Sequence, residues 1–321
     1  MNTEILQQLR GVKLLTHNGV TWIDAENPDA NVFAAFEKEY GLHPVHLQES
    51  TQKVQLTEVE REAEYLFLLL HVTNYVGKRD KLVAGQIGVF LGKNYLITIH
   101  NEVSTLSRDL FERCVRDSKL REQCFHKSSG HALYSLIRAV LEDISRISEA
   151  VLQELDVIED RVFDDNGSDA YPIGKLRQKI SRLKRVIGPL KLVLPDLAVN
   201  IGNFGGDSLA KPYANNTKTA NKLWEVVEEA QETIGIYKDA DFTISTEKTN
   251  ETLAILTLLF TLTIPATVVG ALYGMNILLP GGVEAGSWDF FGKYTMFKLT
   301  VGASVLAAVL MFAYFRKKKW F

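Results

Sequence analysis

Residues Thr252–Tyr273 read TLAILTLLFTLTIPATVVGALY, and no charge interrupts the chain from Thr252 as far as Val283. About 20 mostly apolar residues cross the hydrocarbon of a bilayer, so this segment reads as a membrane span. A buried core helix is seldom free of charge for so long. A second uncharged run follows at Leu299–Phe315, with Lys298 and Arg316 at its ends to reach the headgroups. Tyr294, Phe297, Tyr314 and Trp320 suit the two interfaces. The basic residues Arg316, Lys317, Lys318 and Lys319 place the C-terminus in the cytoplasm by the positive-inside rule, and a hairpin of two spans returns the N-terminal region to the same side. The loop between the spans, Ile277–Lys293, carries only Glu284, Asp289 and Lys293 as charges.

The first span is not fully apolar. Thr252, Thr257, Thr261, Thr263 and Thr267 place hydroxyls in it, and Pro265 removes a backbone donor. Such hydroxyls commonly bond back to their own helix. Several of them, on a helix ending in Gly274-Met275-Asn276, favour a wet face. Two helices cannot enclose a pore, so a conducting protein built this way must be an oligomer.

Upstream of Glu251 charges are frequent, and the 321 residues sum to a net charge of −3, which gives no reason to expect nucleic acid as a partner. Met1–Leu15 has no apolar core of signal-peptide length. Cys114 and Cys124 lack CxxC spacing or histidine pairing and read as reduced thiols of a cytosolic domain. No phosphate-binding loop is found, since Gln86-Ile87-Gly88 and Gly202–Gly206 do not join a strand to a helix in the required way. His43 and His46, with Glu49, have a spacing that could seat a metal, which would suit a membrane-tethered metal sensor or enzyme.

Strands and helices mix from Gly11 to Glu102. Val20–Asp24 reads as a strand, Asn31–Tyr40 as a helix after Pro28, and Tyr65–Val76 and Gln86–His100 as strands, the latter bent by Gly92 with a turn at Gly92-Lys93-Asn94. This predicts an α/β domain with a mixed sheet to about Phe125. Beyond Gly130 a long amphipathic helix is expected over His131–Phe163, with Leu133, Leu136, Ile137, Val140, Ile144, Ile147, Val151, Leu155 and Ile158 on one stripe. Asp164-Asp165-Asn166-Gly167 breaks it. A second helix, Ile173–Val199, is basic on its outer face through Lys175, Arg177, Lys179, Arg182, Lys184 and Arg185. After a break at Gly202–Pro212, a third helix shows Leu223, Val227, Ala230, Ile234, Tyr237 and Ile244 at helical spacing and runs on into the first span. Such a helix is on the order of 90 Å long.

Tyr273-Gly274-Met275-Asn276, at the end of the first of two C-terminal spans, resembles the signature of the CorA family of magnesium transporters, which includes a zinc-transporting ZntB-like branch. Trp22-Ile23-Asp24, Tyr40-Gly41-Leu42-His43-Pro44, Leu91–Thr98 and the Lys317-Lys318-Lys319-Trp320 tail resemble that family's recurring segments in order. The resemblance implies a funnel-shaped homopentamer in the cell inner (plasma) membrane, multi-pass, with both termini cytoplasmic, lipid around it and divalent metal ions as cargo. It implies an α/β cytoplasmic domain (1–128), a helical hairpin outside the stalk (129–211), a stalk helix continuous with the pore helix (212–276), an external loop (277–293), a second transmembrane helix (294–315) and a basic tail (316–321). The acidic turn at Asp164, Asp165 and Asp169 matches the tip of the family's outer hairpin.

Carried over by residue, Gly274, Met275 and Asn276 form the selectivity filter, Asn276 supplying a ring of carboxamides. Thr267, Ile264, Phe260, Asn250, Thr246, Thr243 and Asp239 line the pore, and Leu256 and Leu253 form a hydrophobic gate. Lys317, Lys318 and Lys319 make a basic ring. Asn276, Asn250 and Asp239 are the residues that meet the metal. The implied ion is Mg2+, both as cargo and as a regulator, with cobalt or nickel also carried. The family's sensing carboxylate is replaced by Asn215 and Asn216, which leaves Asp80, Glu225, Glu228 and Glu229 as other acids for that role. The Ile277–Gly282 segment, with Pro280-Gly281-Gly282, is closer to the zinc branch, so a zinc transporter, proton-coupled or not, stands as the alternative. Neither reading requires enzymatic chemistry.

Overall fold

The computed structural model describes residues 6, 9–52, 59–76, 81–102, 104–164, 170–205, 209–275 and 295–318. They belong to two compact units, Met1–Asp239 and Ala240–Phe321.

The first unit opens with β1 (Val12–His17) and β2 (Val20–Glu26), an antiparallel hairpin in register His17↔Val20. Its two-residue loop has positive φ at both Asn18 (49°) and Gly19 (76°), the geometry an Asn-Gly turn supplies at low cost. Next come α1 (Ala30–Tyr40) and α2 (Pro44–Glu49). Asp29 caps α1 by accepting from the Asn31 and Val32 amides, and Gly41 closes it at φ 63°. The strands β3 (Val59–Arg61), β4 (Tyr65–Val76), β5 (Lys81–Gly92) and β6 (Tyr95–His100) complete a six-stranded mixed sheet of order β1-β2-β6-β5-β4-β3, in which β2 and β6 run parallel. The segment expected over Gln86–His100, with its turn at Gly92-Lys93-Asn94, is two antiparallel strands paired Leu91↔Leu96, the first of which begins earlier, at Lys81. A side chain on Gly92 would collide with the Tyr95 ring, so the glycine permits a tight reversal.

Both faces of the sheet are covered, which is why Leu66–Leu70 is apolar without alternation. One face packs Ile23, Phe67, Phe90 and Ile97 against Val32, Phe36 and Leu47. On the other, Trp22 meets Phe111 edge-on, ring centroids 5.3 Å apart. Phe111 lies on α3 (Thr105–Arg116), which α4 (Ser118–Phe125) follows. These two helices bring Cys114 and Cys124 side by side as free, buried thiols with sulfurs 3.3 Å apart.

The helix α5 (Ser129–Phe163) buries every residue of the expected stripe. Then come α6 (Ala170–Asn200), containing Pro189 and Pro195, and the one-turn α7 (Gly202–Gly205). The α6 cations are less free than an outer face implies. Lys179 pairs with Glu154, Arg182 donates to the Leu82 carbonyl, and Lys184 lies over the Trp224 ring at 5.1 Å. The helix α8 (Ala210–Gly274) runs 65 residues, starting before Pro212 rather than after it. Proline is tolerated in a first turn because its missing N–H would have had no helical acceptor. Tyr213, Asn216, Ala220, Leu223, Val227, Ala230, Ile234 and Tyr237 are its buried face. Ile244, expected on that stripe, is only half-buried, because the stripe ends at Tyr237.

The second unit comprises the rest of α8 and α9 (Thr295–Lys317). Arg316 and Lys317, expected in a tail, form the last turn of α9, where cations suit the helix C-terminus.

Candidate functional site

Within the second unit, one half-buried stripe runs along α8. Ala254, Leu258, Thr261, Leu262, Pro265, Val269 and Tyr273 are half-buried at three- and four-residue spacing. The Tyr273 ring meets Phe297 of α9 edge-on at 5.4 Å, and its hydroxyl lies 3.5 Å from Thr300 Oγ1. On α9 the half-buried positions Thr300, Ser304, Ala307, Ala308 and Phe315 mirror this stripe. The rest of α8 in this unit is largely bare, Ile255, Leu259 and Val268 included. Leu253, Leu256, Phe260 and Ile264 are 54, 44, 64 and 56% exposed, and Asn250 and Thr267 are exposed with them.

The hydroxyls have a defined orientation. Thr246 Oγ1 donates to the Phe242 carbonyl at 2.7 Å, and Thr267 Oγ1 to the Thr263 carbonyl at 2.9 Å. A threonine hydroxyl has one proton and two lone pairs, so with the proton committed to the helix its oxygen offers only acceptor capacity. Water around a cation turns its hydrogens outward, and oxygens that only accept suit such a shell.

The remaining candidates are placed as follows. Gly274 ends α8, and Met275 is exposed with its N–H donating to the Leu272 carbonyl at 3.3 Å. Thr243 is exposed, as is Asp239, whose carboxylate lies 3.7 Å from Lys238 Nζ. Lys317 is helical and the Lys318 N–H donates to the Tyr314 carbonyl. Asn276, Lys319, Asp80, Asp165, Asp169 and the whole of 277–293, with Pro280-Gly281-Gly282, lie outside the described residues. At the candidate sensing position Asn216 is buried, and its Nδ2 has no partner among the described residues. Glu228 accepts from Lys184 Nζ at 3.4 Å, while Glu225 and Glu229 are exposed.

Of the trio His43, His46 and Glu49, only the last two converge. The His43 ring instead caps its own helix, Nδ1 accepting from the Val45 N–H at 3.3 Å, and Glu60 of β3 takes its place. Sequence spacing could not have named Glu60, because the pairing of β3 with β4 brings it in.

A sequence profile described as CorA-like Mg2+ transporter protein matches residues 17–317. The chain is 24% identical to the cobalt/magnesium transport protein CorA of Thermotoga maritima, over 88% of this chain and 77% of that one. Its fold superimposes on the complete CorA magnesium transporter of Methanocaldococcus jannaschii with a TM-score of 0.75 at 19% identity, covering 98% of this chain and 95% of the other. The ZntB cytoplasmic domain of Vibrio parahaemolyticus is similar at a TM-score of 0.57 and 14% identity, covering 73% of this chain and 90% of that domain.

Proposed function

Because the chain belongs to the CorA family of divalent metal ion transporters, we propose that it is a homopentameric channel passing hydrated magnesium through the cell inner membrane into the cytoplasm. It is a transporter and not an enzyme. The observation that carries the reading is the bare apolar surface of α8 through Leu253, Leu256, Phe260 and Ile264, on a helix that meets α9 at Tyr273. Copies arranged about an axis cover part of such a surface and enclose a path that one hairpin cannot, while lipid covers the outward surface. The basic residues Arg316 to Lys319 and the uncharged spans support a multi-pass arrangement with both termini in the cytoplasm.

Magnesium dehydrates reluctantly and keeps several waters when bound. The Asn276 carboxamides form the outer ring and accept hydrogen bonds from that shell. Thr267, Asn250, Thr246, Thr243 and Asp239 continue the oxygen-lined path, and Ile264 and Phe260 narrow it. Leu256 and Leu253 close it by dewetting. A divalent ion moving through 100 mV gains about 4.6 kcal/mol, so the membrane potential suffices without ATP. Cobalt or nickel, hydrated alike, follow the same path.

Pro280-Gly281-Gly282 and the likeness to the ZntB domain favour a second reading, a zinc transporter coupled to protons. Liposomes holding the purified chain separate the two. Magnesium uptake under a negative-inside potential, blocked by cobalt hexammine, is expected. Zinc uptake that rises with an inward proton gradient and ignores the hexammine would establish the second reading instead.

A further inference from the structure

An imidazole in the first unit is held by two elements distant in sequence. His46 and Glu49 lie three residues apart on α2 and so share a face of it. Glu60 stands opposite Phe67 in the β3–β4 pairing, and residues so paired point to the same face of a sheet. The His46 ring stacks on Phe67 with centroids 4.6 Å apart and planes 13° from parallel, which lays it beside Glu60. His46 Nε2 is 2.9 Å from Glu60 Oε2, and the donor atoms of His46, Glu49 and Glu60 all lie within 4.8 Å of one another. His46 is only 4% exposed, Glu49 is half-buried, and Glu60 opens the group to solvent.

The far side of the ring is held as well. Nδ1 is 2.8 Å from the Tyr65 hydroxyl oxygen, which also accepts from the His43 N–H at 3.0 Å. That oxygen has two lone pairs and can accept from both. With the ring proton on Nδ1, the Nε2 lone pair faces the two carboxylates, and all three groups are electron donors. A histidine that binds metal through one nitrogen usually donates its other N–H to a fixed oxygen, as His46 does to Tyr65 in this tautomer.

We propose that His46 Nε2, Glu49 and Glu60 bind a first-row transition ion, zinc foremost, with water completing its coordination. One imidazole and two carboxylates are donors that zinc accepts in a four-coordinate site. Magnesium favours an all-oxygen octahedron, so the nitrogen selects against it. The site lies wholly within the first unit and stands whichever ion is transported. Its occupation ties α2 to the edge strand β3.

The test uses the full-length chain in detergent, stripped by a chelator and titrated with zinc against a chromophoric competitor in excess magnesium. One zinc per subunit is expected, with an imidazole signature at the zinc K-edge. Glu60→Gln, at a solvent-facing position, should elute as the native oligomer and weaken binding by roughly tenfold or more, since even outer partners of a metal ligand cost that much when lost. His46→Gln should remove the imidazole signature. Zinc affinity unchanged in both Glu60→Gln and Glu49→Gln, or a zinc spectrum without imidazole, would overturn the proposal.

Discussion

Asp24 is buried and both of its oxygens have partners. Thr98 and Ser107 hydroxyls donate to Oδ1 at 2.6 and 2.8 Å, and His100 Nε2 lies 3.2 Å from Oδ2. Burial pushes the His100 pKa down, but the hydrogen bond and charge of Asp24 outweigh it and hold the value above the usual 6.5. The protonated pair therefore stabilises the fold fully below about pH 6.5, and that share is lost as pH rises through the raised value. Thermal midpoints of wild type and His100→Gln should differ most at acid pH and converge toward alkaline pH. A constant gap would assign His100 a packing role alone. At Gly88 on β5 the neighbour is Ser50 at the end of α2, since an added Cβ would stand 2.2 Å from Ser50 Cβ and 3.0 Å from its backbone Cα, neither of which a rotamer change can move away. Gly88→Ala must push α2 off the sheet and should cost about 1–3 kcal/mol, read as a lower thermal midpoint.

Among the elements, α8 carries the proposed gate. Leu253 and Leu256 have no cover among the described residues, so Leu256→Ser should leave folding intact while wetting the proposed constriction. Basal magnesium leak into liposomes should rise; leak at background would place Leu256 against lipid. The long helices were legible because their apolar residues repeat at helical spacing over many turns, as from Leu133 to Ile158. The uncharged run from Thr252 made the first span legible in the same way. Shorter elements gave weaker signals. α2 has six residues and β3 three, too few for a period to establish itself, and the six residues of β1 were not marked as a strand. The reversal between Lys81–Gly92 and Tyr95–His100 was marked by Gly92-Lys93-Asn94, but the polar start of the first strand at Lys81 was not. Glu60 was invisible for another reason: its partners are chosen by strand pairing, which no local pattern encodes.

For the whole molecule, none of the most apolar 18-residue window of α8 is buried among the described residues, and the same holds for α9. Surface of that kind persists only under lipid or a second copy. Native mass spectrometry from detergent should give a pentamer, and another stoichiometry would remove the proposed pore. In that pentamer Asn276→Ala should abolish magnesium uptake while assembly is retained; undiminished uptake would displace the carboxamide ring from the filter. The back-bonded threonines have a further consequence. A file of hydroxyls is ordinarily a wire along which protons hop, each oxygen receiving one and releasing another. Thr246 and Thr267 cannot release theirs without breaking a bond to their own helix. Along the proposed path they are insulated links, which meet a cation's shell while contributing no step to a proton current.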